Sequence, residues 1–580
     1  MIVNEPLLSF EFVTSKGNIP HTFKKPIKVI VATTIEEVFP CLELIQQAVS
    51  DGYFAAGYLS YESAPAFDSS FTVKSGNTMP LLWFGIFSES HHQTLSGSET
   101  YTLTRWKPNV SMSEYQETID SIKHAIESGD TYQTNYTIRF TSEFDGDDLS
   151  FFEKLKHSQA SNYCAYINTG SHSILSASPE LFFHKEGEQI ITRPMKGTVK
   201  RGRSFEEDEA NAKWLYHSEK NRAENLMIVD LLRNDLNTIS EPGSVRVPKL
   251  FEIERYPTVL QMTSTIEAKV SKDRTLFEIF RGLFPCGSIT GAPKINTMKF
   301  IAEFETSPRE VYCGAIGFIT PEKEAVFNVP IRTVWIEHST GKATYGVGGG
   351  ITWDSTSKGE YNEILAKAKV LEENRPEFQI LESLLLEDGQ YFLLEEHISR
   401  LKQTSHYFGF PFDRIEIKDL LSEFAHQHTE GLYKVRLLLA KTGDITVEGS
   451  PTDPLMAPVK MILADQPIDR NSPFLYHKTT NRTIYEGYQF IKPPEAFDVL
   501  LWNEAGEITE FTNGNVVVEI DGHLWTPPVT SGLLAGTYRA SQIKQGKIHE
   551  KVLTIKDIKR SKKVWFINSV RKWVEVEFIE

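Results

Sequence analysis

Thr192-Arg-Pro-Met-Lys-Gly-Thr198 is the stretch on which the reading of this chain turns. A lysine taken at random is most often a solvated surface cation, so Lys196 gains meaning from the residues around it. Upstream stands Ser178-Pro-Glu180. Downstream come Lys220-Asn-Arg-Ala-Glu224-Asn-Leu-Met-Ile-Val-Asp-Leu-Leu-Arg-Asn-Asp235, then Phe284-Pro-Cys-Gly-Ser-Ile-Thr-Gly-Ala-Pro-Lys294, and finally Glu360-Tyr-Asn-Glu363-Ile-Leu-Ala-Lys367. On a helix, positions 360, 363 and 367 share one face, which by spacing alone is also the mark of a solvated ion-pair face.

The chain has 580 residues, too many for one core, and typical domain size predicts about three or four folding units. With 40% hydrophobic and 24% charged residues it has the composition of an ordinary globular protein. A net charge of −16 repels phosphate backbones and argues against nucleic-acid binding. Cys41, Cys164, Cys286 and Cys313 stand far apart with no Cys-x-x-Cys pair, so neither a zinc site nor a disulfide framework is expected, and a reducing cytosol is. The opening Met1-Ile-Val-Asn-Glu-Pro6 lacks a basic then apolar leader, and no apolar run reaches the roughly 18 residues of a membrane span.

Residues 1–105 alternate short apolar runs, such as Lys28-Val-Ile-Val-Ala32 and Leu81-Leu-Trp-Phe-Gly-Ile-Phe87, with turn-rich pieces, as a sheet-rich segment would. Tyr115, Ile119, Ile122 and Ile126 recur at helical spacing, predicting a helix over 113–129. A second long helix is predicted over 206–232, acidic first and apolar later, with Glu224 in its later half. After the glycines of Tyr345-Gly-Val-Gly-Gly-Gly-Ile351, Ser355 or Ser357 is placed to cap the helix carrying Glu360 and Glu363. Leu371-Glu-Glu-Asn-Arg-Pro376 reads as a joint, dividing the chain into 1–105, 106–372 and 377–580. The glycines miss Gly-x-Gly-x-x-Gly at its last position, and residues 282–288 lack a P-loop lysine, which disfavours a nucleotide site.

Taken together, these motifs resemble the chorismate-utilising enzymes, and Tyr132-Gln-Thr-Asn-Tyr136 resembles that family's Tyr-Gln-Val-Asn strand. Pro-Ile-Lys-Gly-Thr resembles aminodeoxychorismate synthase component I, with Met195 in place of isoleucine; anthranilate synthases usually carry alanine where Lys196 stands. The resemblance implies an α/β (α+β) fold whose first part has antiparallel sheets flanked by helices. It implies Glu180 as general acid and Lys196 as the nucleophile that holds the chorismate ring until ammonia displaces it. It also implies Mg2+ on Glu224 and Glu363 with Glu360 behind them, and carboxylate contacts from Thr290, Gly291, Tyr312 and Arg332. Gln261 stands where similar anthranilate synthases have a histidine base, and an amide has no basic nitrogen, so the first site is expected to stop at the aminated, non-aromatic product.

Residues 377–580 resemble the class IV pyridoxal-phosphate enzymes, specifically aminodeoxychorismate lyase, a smaller two-subdomain α/β unit. That resemblance makes Lys478 the pyridoxal 5'-phosphate tether and base, Glu510 the partner of the pyridine nitrogen, and Arg400, Gly536 and Thr537 cofactor contacts near its phosphate, with Asn515 lining the site. Ser569 is a further phosphate candidate, and Tyr538 departs from the threonine of many relatives. The implied function is two-step 4-aminobenzoate formation. Because no cysteine lies in a Gly-x-Cys-x-Gly elbow, ammonia is expected free or from a separate glutamine amidotransferase, and a homodimer through the second part is a further expectation. The competing readings are an anthranilate synthase component I or an isochorismate or salicylate synthase, each with a non-catalytic C-terminal module.

Overall fold

The computed structural model describes residues 5–579. The chain forms two compact units: one runs to Lys200 and resumes over Ala212–Arg375, and the other comprises Arg201–Asn211 and the residues from Pro376 onward.

The first unit is built on two ten-stranded sheets. In one, Gln133–Gly146 pairs antiparallel with Lys342–Ile351 along ten positions, from Thr134↔Ile351 to Glu143↔Lys342. In the other, Leu181–Glu186, Gln189–Arg193, Val259–Lys269 and Met195–Lys200 follow one another. The first hundred residues are woven into both: Leu7–Thr14 pairs with Tyr163–Asn168, and Phe54–Leu59 with Ala315–Ile319. Strands such as Tyr163–Asn168 and Ala315–Ile319 are buried along their whole length, on both faces, and an aromatic core including Phe10, Phe280 and Phe327 packs among the strands.

The helix expected over 113–129 spans Met112–Glu127, opened by a capping box between Ser111 and Glu114. The helix expected over 206–232 is instead two, Phe205–His217 and Glu219–Asn237. Ser218 breaks it: its backbone is extended and its hydroxyl accepts the Asn221 amide, capping the second helix. Glu224 accordingly lies near the start of the second helix, not late in a single one. The helix Ser357–Ala368 is capped by Thr356, whose hydroxyl accepts the Gly359 amide, rather than by Ser355 or Ser357. Ser355 donates to Glu360 at 2.7 Å.

In the second unit, Ile380–Glu387, Leu432–Leu439 and Ile445–Pro451 form an antiparallel sheet, and helices Leu394–Phe408 and Arg414–Gln427 share its apolar core. An eight-stranded mixed sheet follows, with Val459–Leu463 parallel to both Asp498–Trp502 and Lys572–Phe578. Among the described residues no helix is long and apolar enough to cross a membrane. The four cysteines are buried and unbonded to one another.

Candidate active sites

Strand Met195–Lys200 does not run evenly along Val259–Lys269: Met195 faces Thr263 but Thr198 faces Gln261, so an extra residue bulges at Lys196-Gly197. A bulge re-aims a side chain, and here it aims Lys196. Gly197 takes φ +93, a conformation costly for other residues. The bulge is held on both sides. Asn225 donates to the Lys196 carbonyl at 3.2 Å, and Gln261 donates to the Gly197 carbonyl at 3.0 Å while accepting from the Thr198 hydroxyl at 2.8 Å. Asn225 is itself oriented by the Ser264 hydroxyl, 2.6 Å away. Gln261 thus pins the bulge from the neighbouring strand.

Lys196 lines a cavity of about 430 Å3 with Glu180, Glu224, Tyr312, Arg332, Glu360 and Glu363. Burial and the nearby Lys367 charge push the Lys196 amine below the usual lysine range, against the pull of Glu180, Glu224 and Glu363. Burial raises Glu180 to about 7, although Ser288 and Lys196 favour its charged form, and its Oε1 has no protein partner among the described residues. A carboxyl raised to about 7 in the same cavity as an amine lowered from its usual range is a candidate to protonate a departing hydroxyl.

The floor is the glycine strand. A Cβ on Gly350 would sit 1.8 Å from Gln133 Nε2 and 2.9 Å from Lys196 Nζ, and one on Gly346 would strike the Tyr312 ring. Arg332 lines the cavity with its guanidinium hydrogen-bonded to Gln159 and without a carboxylate partner among the described residues, which suits an incoming carboxylate. Thr290 and Gly291 do not line it. The Thr290 hydroxyl donates to the Cys286 and Gly287 carbonyls and Gly291 lies against Gln133, so Ser288 and Ile289 form that wall instead.

Glu224, Glu360 and Glu363 meet in this cavity, but their oxygens do not all lie within 4.8 Å of one another. Lys367 bonds Glu363 at 2.8 Å and draws it down, whereas burial, with Glu363 and Glu224 nearby, raises Glu360. Three carboxylates converging on one space form an oxygen donor set of the kind a hard divalent cation takes.

In the second unit, Lys478, Glu510, Arg400, Gly536, Thr537, Asn515 and Ser569 line one cavity of about 510 Å3. Burial, then Arg400 and Arg482, bring the Lys478 amine to about 7. Glu510 is raised to about 8 by burial, while the Tyr485 hydroxyl at 2.9 Å and Asn515 at 3.3 Å hold its two oxygens. Arg400 grips Glu382 through two donors and reaches the Ala535 carbonyl; burial notwithstanding, this pair and His397 hold Glu382 at about 2. His397 bridges Glu382 to the Thr537 hydroxyl, orienting it. A Cβ on Gly536 would fall 2.1 Å from Asn515 Oδ1. Ser569 donates to the Ser383 carbonyl, and Tyr538 packs on Phe392 rather than lining the cavity. Sequence reasoning did not single out Tyr485 or the basic wall of Lys434, Arg436, Arg482 and Arg571. The Lys-x-Arg alternation on strand Leu432–Leu439, which puts both on one face, was the available signal.

Residues 91–373 match the family of chorismate binding enzymes, and residues 379–579 match the amino-transferase class IV family. The chain is 40% identical over 278 residues to aminodeoxychorismate synthase component 1 of Klebsiella aerogenes, covering 47% of this chain and 61% of that one. It is 38% identical over 276 residues to the protein of that name from Escherichia coli (strain K12), covering 47% and 60%. The chain thus spans about three-fifths of the length of these curated relatives. A crystal structure of anthranilate synthase component I from Streptococcus pneumoniae superposes with a TM-score of 0.51 at 24% identity, over 63% of this chain and 90% of that one, a likeness of fold. With the arrangement of both cavities, these matches identify a chorismate binding enzyme domain over residues 91–373, joined to an amino-transferase class IV domain over residues 379–579.

Proposed function

We propose that this chain makes 4-aminobenzoate in two steps, aminating chorismate in the first unit and eliminating pyruvate in the second. The observation that carries the reading is the pairing of a deprotonation-prone Lys196 with a proton-retaining Glu180 in one cavity.

Hydroxide leaves a ring poorly unless protonated. Glu180 gives its proton to the departing hydroxyl, which leaves as water, while the Lys196 nitrogen bonds to the ring with an allylic shift. Ammonia then displaces the Lys196 nitrogen with a second shift, so the new amine ends where the hydroxyl was. Arg332 takes a substrate carboxylate, and Glu224, Glu363 and Glu360 would hold Mg2+, whose charge supplies neutralisation of a carboxylate. Gln261 offers no base for a ring proton, so the product leaves non-aromatic. Ammonia comes from solution or from a separate glutamine amidotransferase.

In the second site Lys478 would hold pyridoxal 5'-phosphate, Glu510 its ring nitrogen, and Arg400, Gly536 and Thr537 its phosphate. The cofactor, when bound, supplies an electron sink. Lys478, once its amine is free, takes and returns the proton; burial and Arg400 lower that amine to about 7. The basic wall of Lys434, Arg436 and Arg571 suits a substrate with two carboxylates.

The test is incubation with chorismate, magnesium and ammonium, with products identified by mass. The wild type should give 4-aminobenzoate and pyruvate, and Lys478→Ala should accumulate the aminated diene. An aromatic ortho-aminated product from the first site would overturn the reading, as would hydroxylated product formed without ammonium.

A further inference from the structure

A third cavity, about 210 Å3, lies in the first unit away from the glycine floor. Three neighbouring strands form its base. Lys185 and Ile319 both stand directly opposite Ala325 in register, so all three side chains share a face. Helix Ile35–Ser50 contributes Val49, and helix Leu276–Leu283 contributes Leu276 and Ile279, giving apolar walls. Lys323, in the turn between strands Ala315–Ile319 and Ala325–Asn328, stands at the mouth.

The charges here are unevenly paired. Lys272 is 3.8 Å from Glu188, and Arg274 is 2.8 Å from Glu278. Asp273 lines the cavity too, yet among the described residues neither Lys185 nor Lys323 has a carboxylate within 4.0 Å. Lys185 is only 6% exposed, and its ammonium makes one hydrogen bond, to the Gly187 carbonyl at 3.0 Å. A buried cation with unused donors and no counter-charge is costly unless something anionic meets it. In a chain of net charge −16, two ammonium groups with no carboxylate within 4.0 Å face a pocket whose apolar side is Val49, Leu276, Ile279 and Ile319 and whose polar side includes Gln46, Ser50 and Asp273.

We propose that this cavity is a binding site for a small aromatic monocarboxylate, its carboxylate on Lys185 and Lys323 and its ring against Val49, Leu276, Ile279 and Ile319. The volume falls below the roughly 300–1,000 Å3 of sites for drug-sized ligands, which restricts the occupant to about one substituted ring. One buried ammonium matches one carboxylate. Burial and the Lys323 charge lower the Lys185 pKa, and a bound anion reverses that shift.

Benzoate is the probe, titrated calorimetrically into the full chain. The expected result is saturable one-to-one binding, weakened at least about tenfold, or ~1.4 kcal/mol, in Lys185→Met, weakened severalfold in Lys323→Gln, and unchanged in Lys196→Ala and Lys478→Ala. Absence of saturable binding to the wild type overturns the proposal, and so does binding lost with Lys196 or Lys478 but kept without Lys185. Should Lys185→Met fail to fold by circular dichroism, Lys323→Gln at its exposed turn decides, and unchanged affinity there overturns the assignment.

Discussion

In the proposed first step Lys196 and Glu180 act as a pair, the amine lowered and the carboxyl raised from their ordinary ranges. Lys196→Ala should abolish ammonia-dependent loss of chorismate, and Glu180→Gln should slow it by about 10²–10⁴-fold, the span typical of a lost general acid; both are read by product formation at saturating ammonium. Glu510 offers a test that needs no turnover. Unfolded, it releases its proton near 4.5, and folded near 8, so folding takes up a proton in between and stability falls as pH rises through that window. Relative to Glu510→Gln, the cofactor-free wild type should lose up to about 1.4 kcal/mol per pH unit between pH 5 and 8, seen as a divergence of thermal midpoints. Lys196 could be singled out in the sequence because its seven-residue phrase is specific. The second role of Gln261 could not, because it depends on a bulge that sets residue 261 against residues 197 and 198, and pairing register is a property of two strands.

Strand Lys342–Ile351 shows why composition matters as much as charge at the level of an element. Its glycines let Lys196, Gln133 and Tyr312 occupy space that a Cβ would claim. Gly350→Ala is therefore expected to displace the amine and cut chorismate amination at least tenfold, while the absorbance of pyridoxal phosphate added to the second unit stays as in wild type; equal loss of both would point to global misfolding. The sequence failed to show the purpose of these glycines, since residue 133 lies more than two hundred positions earlier. Helices were legible where apolar spacing and a cap agreed, as over Met112–Glu127. They were misjudged where a lone serine decided, because Ser218 sits between two stretches that are each helical and only its extended backbone separates them.

For the molecule as a whole, proline and charge suggest a joint at 371–376, the second compact unit resumes at Pro376, and the second family match begins at residue 379. The assignment of Arg201–Asn211 to the second unit was not legible in the sequence, for it rests on long-range packing: the Tyr407 hydroxyl donates to the Gly202 carbonyl at 2.7 Å, and Arg201 lies over the Tyr407 ring. The two proposed sites on one chain predict separable losses. Mixing Lys196→Ala with Lys478→Ala should restore 4-aminobenzoate formation from chorismate through diffusing intermediate, measured against either variant alone.

That Arg201–Asn211 stretch means the polypeptide passes from one unit to the other three times rather than once. A protease clipping the link at 372–379 would therefore nick the chain without excising an intact second unit, and a gene split at that point would leave part of that unit encoded upstream of the break.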